Sequence, residues 1–229
     1  MSSTNKFVFY KKSPKVIVSA ATCWIFVAFI LILPISSYSQ NYKFQAGAIG
    51  GMTGTQISGD GLSGFNKIGL IGGIFTNHQL SDKFYGEMEI IFFQKGSRKT
   101  ANPKQGDFTR YLLRLNYVEV PLLIQYKEEK FTFETGPSFG RLISRKEKVN
   151  GVDYTNETQS FKDFEISWNF GINYALNENF LLEARFNNSI SAVRGKNNIR
   201  PQFESRLKRG QFNSSIALVL KYHLNNLQN

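Results

Sequence analysis

Few side chains in this 229-residue chain are equipped for chemistry. Hydrolysis of the Ser–His or Asp–His type needs an imidazole at a working surface, and the sequence holds two histidines, His78 and His223. Neither has a Ser or carboxylate partner at a diagnostic spacing. The one cysteine, Cys23, lies in the N-terminal apolar stretch, so a disulfide scaffold and a cysteine metal site are both excluded. Gly59-Asp60-Gly61 through Gly64 is glycine-rich, but no GK[ST] and no helix follow, so it reads as a loop and not a phosphate cradle. The expectation is therefore no catalytic residue, no cofactor-binding residue and no metal ligand. What remains is a set of carboxylates embedded in otherwise apolar stretches: Glu87, Glu89, Glu119, Glu134, Glu165 and Glu183, with Lys95, Arg185 and Lys221 among them. Charges so placed must be paired, hydrated or neutralised. They suit a hydrated salt-bridge plug, or, less readily, a narrow cation or proton path.

The elements that position them begin after a leader. Lys6, Lys11, Lys12 and Lys15 precede an uncharged apolar stretch, Val16 to Leu33, that ends at Pro34. Ser37-Tyr38-Ser39 then supplies small residues where a signal peptidase reads them, so cleavage is expected before Gln40. Domain organisation is expected to be 1–39 signal peptide and 40–229 one β-barrel domain. The whole chain has 28 Lys+Arg against 17 Asp+Glu. Removing the four leader lysines leaves 24 against 17, or +7. Hydrophobic content of 41% at a mean hydropathy of −0.26 excludes a polytopic helical membrane protein, and 14% aromatic residues argue against disorder.

Beyond the leader the pattern has a period of two. Phe164, Ile166, Trp168, Phe170, Ile172 and Tyr174 are interleaved with Glu165, Ser167, Asn169, Gly171 and Asn173. Phe180, Leu182, Ala184 and Phe186 alternate with Glu183, Arg185 and Asn187 in the same way. Eight strands are predicted, at 42–52, 67–77, 84–97, 111–126, 131–143, 162–175, 180–192 and 211–224. The connections after strands two, four and six are short. Those after one, three, five and seven run over a dozen residues and are rich in Gly, Ser, Asn, Lys and Arg. An even strand count with short turns at one end and long loops at the other marks a transmembrane barrel. Carboxylates confined to the face opposite the aromatic one favour it over the alternative, a soluble periplasmic lipocalin-like barrel holding an apolar ligand.

The segment Leu115-Asn116-Tyr117-Val118-Glu119-Val120-Pro121-Leu122-Leu123-Ile124-Gln125-Tyr126, then a short turn and Phe133-Glu134-Thr135-Gly136-Pro137-Ser138-Phe139-Gly140, resembles the central hairpin of the PorT-like, porin-family outer-membrane β-barrel proteins. Gly50-Gly51, Gly72-Gly73 and Glu87-Met88-Glu89 through Gln94-Lys95-Gly96 fit the same pattern. The resemblance implies an envelope role: structural anchor, surface interaction or a component assisting secretion, without catalysis.

Strand four can be phased. With Glu119 facing the lumen, Val118, Val120, Leu122, Ile124 and Tyr126 face lipid, and Arg114 and Asn116 fall beyond the band toward the long loops. Pro121 lacks a ladder donor and marks a local irregularity. An eight-stranded lumen is just wide enough to be filled by side chains. The last long loop carries Arg194, Lys196, Arg200, Arg206, Lys208 and Arg209 against Glu204, and the loop after strand three Arg98, Lys99, Lys104 and Arg110 against Asp107. Basic loops outside the cell suit outer-membrane lipid, lipopolysaccharide or an acidic glycan. Envelope or secretion-system proteins are further candidate partners, and export leaves no place for nucleic acid. The expectation is an all-β, eight-stranded antiparallel transmembrane β-barrel in the cell outer membrane, preceded by a cleaved signal peptide.

Overall fold

The computed structural model describes residues 44–62, 64–155, 161–195 and 210–224. Among them the strands are β1 (Phe44–Ser58), β2 (Lys67–Gln79), β3 (Phe84–Lys99), β4 (Tyr111–Glu128), β5 (Phe131–Val149), β6 (Val152–Asp153), β7 (Phe164–Ala175), β8 (Phe180–Ser189) and β9 (Phe212–Leu224). Every pairing is antiparallel, in the order β4-β3-β2-β1-β9-β8-β7-β5, and β4 pairs with β5 to close the cylinder. Eight strands are staves; β6 is a two-residue strand alongside β5. The expected leader over 1–39 lies outside the described residues, as do Lys196, Arg200, Arg206, Lys208 and Arg209.

Period-two patterning becomes an inside and an outside. On β7, Glu165, Ser167, Asn169 and Asn173 are buried while Phe164, Ile166, Trp168, Phe170, Ile172 and Tyr174 are exposed. On β4, Glu119 and Gln125 point in, whereas Val118, Leu122 and Ile124 point out. The apolar face is therefore the outer face, as lipid requires and the reverse of a soluble ligand-binding barrel. The ladder between β3 and β4 lapses opposite Val120 and Pro121 without changing register, the irregularity expected at a residue with no N–H.

Short turns close one end. Glu129 adopts φ 52° in the two-residue turn between β4 and β5, and Asn177 accepts hydrogen bonds from the amides of Asn179 and Phe180, both 2.9 Å, between β7 and β8. An aromatic belt rings this end. Phe84 meets Tyr126 with ring centroids 5.2 Å apart, Phe131 meets Tyr174 at 5.2 Å, Phe180 meets Tyr222 at 5.0 Å and Phe44 stacks on His78 at 4.4 Å. The four pairs take one residue from each of the eight staves.

The other end is lopsided. β3, β4 and β5 are 16, 18 and 19 residues long, against 12 and 10 for β7 and β8. At about 3.3 Å per residue the β3–β5 wall stands well above its opposite side. Two of the expected long loops are correspondingly shorter, at 59–66 and 100–110, because β1 and β3 continue past the lipid band to Ser58 and Lys99. β5 also outruns its predicted end at residue 143. Asn116 pairs with Ser144 but Tyr117 with Leu142, so Ile143 is an extra residue in a β-bulge. The extra residue reverses the alternation, which turns Glu147 inward and leaves Lys146 exposed on the outer wall.

The interior is not uniformly polar. Ile49, Ile71, Phe75, Ile91, Phe93, Ala217 and Val219 form one inner apolar cluster. Ile57, Tyr111, Leu113, Leu115, Tyr117, Phe161 and Val193 form a second, toward the long-loop end.

Candidate functional site

The lumen carries its charges in tiers. Nearest the short turns, Arg185 on β8 donates to Glu89 on β3 through both terminal nitrogens, each at 2.6 Å. It also donates to Glu134 at 3.1 Å and, through Nε, to Glu183. Lys221 on β9 adds ion pairs to Glu87 at 2.7 Å, Glu134 at 3.1 Å, and Glu89 and Glu183 at 3.2 Å. Gln125 and Asn173 complete the shell of Glu134, donating at 3.0 and 2.8 Å. Oxygens of Glu89, Glu134 and Glu183 converge within 4.8 Å of one another, but Arg185 and Lys221 already bridge them, so the group is a set of ion-pair acceptors.

One level up, the Lys95 ammonium lies 2.6 Å from Glu119 and 2.9 Å from Glu165 and donates to Asn187 at 2.7 Å. Ser138 donates to the second oxygen of Glu119 at 2.9 Å, and Asn213 to that of Glu165 at 2.8 Å. The Lys95 ammonium also lies 4.7 Å from the centroid of the Phe93 ring, a cation–π contact at the margin of the inner apolar cluster.

Glycine makes both tiers possible. Gly140 sits in register between Glu119 and Glu165, and Gly171 between Glu134 and Arg185. A Cβ on Gly140 would stand 3.0 Å from Glu119, and one on Gly171 2.6 Å from Glu134. The charged tips occupy the space that the missing side chains leave.

All nine charged residues expected in the lumen are thus inside and paired with one another: Glu87, Glu89, Glu134, Glu183, Arg185 and Lys221 in one tier, Glu119, Glu165 and Lys95 in the other. Below them a cavity of about 480 Å³ opens at the short-turn end, with Glu87 and Lys221 at its floor and Asn77, Gln125, Asn173 and His223 in its walls.

Arg194, expected on the exposed basic loop, is buried in the barrel mouth. It donates to Glu147 at 2.9 Å, its guanidinium lies 3.8 Å from the centroid of Phe161, and Tyr111 donates to the other Glu147 oxygen at 3.0 Å. The bulge at Ile143 made this carboxylate available, and no local pattern in the sequence announces a bulge. Asn173, Asn187, Asn213 and Ser138 join the network as neutral partners, and each shares the inward phase of a glutamate on its own strand or the next. His78 lies within β2 and not in the turn after it, stacked on Phe44, and His223 meets the edge of Phe75 at 4.9 Å.

Outward aromatics, closed antiparallel staves and an inward ion-pair network define an integral outer-membrane β-barrel. A family model described as "Outer membrane protein beta-barrel domain" matches residues 36–194, and the chain belongs to that family of the outer membrane. In fold it is similar to neisserial surface protein A, at 11% identity over 80% of this chain and 99% of that one, with a TM-score of 0.45. It is also similar to Ail, the attachment invasion locus protein of Yersinia pestis, at 12% identity over 80% and 99% with a TM-score of 0.46. The N-terminal barrel domain of Pseudomonas aeruginosa OprF is 8% identical over 80% and 100%, with a TM-score of 0.34. No curated protein matches the sequence.

Proposed function

We propose that the protein is a sealed, non-catalytic anchor in the outer membrane, whose lumen is closed by its own charges and whose loops meet the cell exterior. The observation that carries this reading is the cross-lumen bracing: Arg185 reaches Glu89 on the far wall, and Lys95 with Glu119 and Glu165 lies over it. An eight-stranded cylinder filled in this way has no room for an aqueous channel. The similarity of Leu115–Gly140 to PorT-like barrels supports a place beside envelope or secretion-system proteins, and the basic loops suit outer-membrane lipid and lipopolysaccharide. In planar lipid bilayers the purified barrel should insert without discrete current steps at neutral pH. Persistent cation-selective steps would replace the seal with an ion or proton path along the glutamates.

A further inference from the structure

The extended β3–β5 wall carries cations that the lumen network does not use. Along its outer face the apolar band ends at a hydrogen-bonded row running from Phe92 through Val118 and Arg141 to Phe164. The Arg141 guanidinium lies 5.7 Å from the centroid of the Phe164 ring. The next outward row is polar, Gln94, Asn116 and Ser144. Above it Arg114 on β4 pairs directly with Lys146 on β5, and one row further Arg98, Leu112 and Lys148 follow one another across three strands. Each of these cations lies on the side of its strand opposite the buried Ser97, Leu113 and Glu147.

Among the described residues Arg98, Arg114, Arg141, Lys146 and Lys148 form no ion pair with a carboxylate. Asp153, in register with Lys148, is the neighbouring acid; hydrogen bonds from Thr155 and then the charges of Lys146 and Lys148 hold its carboxyl below its ordinary value. Like charges directly opposite on an antiparallel pair destabilise it. Arg114 facing Lys146 therefore calls for an anion between them. The Ile143 bulge is what puts Lys146 there: without it, Glu147 would have taken the outward phase.

We infer that this wall binds the phosphorylated headgroup of an outer-leaflet lipid. The cations point sideways from the cylinder, Arg141 at the edge of the apolar band and Arg114 with Lys146 one polar row beyond it, which is the depth of headgroup phosphates and not that of a solution ligand approaching the barrel mouth. The guanidinium groups of Arg98, Arg114 and Arg141 offer the paired donors that phosphate oxygens accept. The assignment rests on the membrane placement of the barrel and is independent of whether its lumen conducts.

The test is native mass spectrometry of the full barrel in detergent, with added diphosphoryl lipid A and with the same lipid stripped of its phosphates. Wild type should retain the diphosphoryl form about tenfold or more over the stripped form. The variant Arg114→Gln/Lys146→Gln/Lys148→Gln should abolish that preference, since each basic side chain near a charged membrane surface strengthens binding about fivefold. Lys127→Gln/Lys130→Gln, at the short-turn end, should leave it unchanged. A heat-dependent shift in SDS gels shows that each variant is closed; if the triple variant lacks it, Lys146→Gln alone carries the test, with a loss of about fivefold. Equal retention of the two lipids, or an equal loss in the Lys127/Lys130 variant, overturns the site. Inorganic pyrophosphate displacing the lipid's advantage at equimolar concentration would show a solution-anion site and overturn the lipid assignment. A conducting lumen would overturn the sealed-anchor reading and leave all these results as they are.

Discussion

Arg185 and Glu89 are separated by 96 residues and stand on opposite walls of the barrel, yet they meet through two hydrogen bonds of 2.6 Å. β8 and β3 are four staves apart in a ring of eight, so this contact spans the lumen as a crossbar. Backbone ladders fix only neighbouring strands. The Arg185–Glu89 pair fixes a diameter.

Removing one end of the bar should cost more than removing both. Arg185→Met leaves Glu89, Glu134 and Glu183 short of a cation in a buried site, for an expected loss of about 3–5 kcal/mol. Adding Glu89→Leu should recover part of that, because an uncompensated charge is removed with it. Urea unfolding in detergent, followed by tryptophan fluorescence, measures both. A double variant no more stable than the single would mean that the pair is not coupled as drawn.

Gly171 gives a second handle on the same tier. Gly171→Val would push a side chain into Glu134, which holds both Arg185 and Lys221. Overpacking of this kind costs about 1–3 kcal/mol. Gly50→Val, where a Cβ meets nothing within 4 Å, serves as the control in the same unfolding assay and should be near neutral.

Deleting Ile143 tests the bulge. Without it, the register of β5 beyond Leu142 would turn Glu147 outward and remove the acceptor of Arg194 and Tyr111. Amide exchange should rise sharply across 144–149 and 111–115 and stay unchanged at the short-turn end. Uniform protection in the deletion variant would show that the mouth does not depend on this pairing.

The loop after β1 should respond to pH. Asp60 is buried there, and burial raises its carboxyl above the ordinary 3.8, while hydrogen bonds from Ser97 and the Leu62 amide pull the other way. A raised acid favours the fold when protonated, so its contribution is fully present below pH 3.8 and lost as pH climbs through the folded value. Amides of 59–62, corrected for intrinsic rates, should be better protected at pH 4 than at pH 7. Asp60→Asn should flatten that difference; a wild-type loop equally protected at both values would contradict it.

Where one face was apolar and the other charged, the sequence was read almost to the residue. β7, β8 and β9 lie within two or three residues of their expected limits, and all six lumen glutamates point inward because a one-residue slip would have put them in lipid. Legibility failed where that contrast disappears. Leu112, Leu113 and Leu115 are apolar on both faces of β4, and Ile68, Leu70, Ile71 and Ile74 do the same on β2, so the inner apolar clusters left no period-two signature. The alternation of β5 changes phase at residue 143, which hides its continuation to Val149, and the acceptor of Arg194 lies beyond that break. The pairing of Lys95 with Glu165, 70 residues away, is set by barrel closure and by nothing local.

The ring pairs at the short-turn end have a mechanical consequence. With one member drawn from every stave, they form a waterline around the whole circumference. Tipping the cylinder would lift one pair out of the interface while submerging the pair opposite, so a restoring torque acts in every direction of tilt, whereas rotation about the long axis meets none. The belt therefore opposes lean without opposing spin, which favours one height above the surface for the taller β3–β5 side as it turns toward each lateral neighbour.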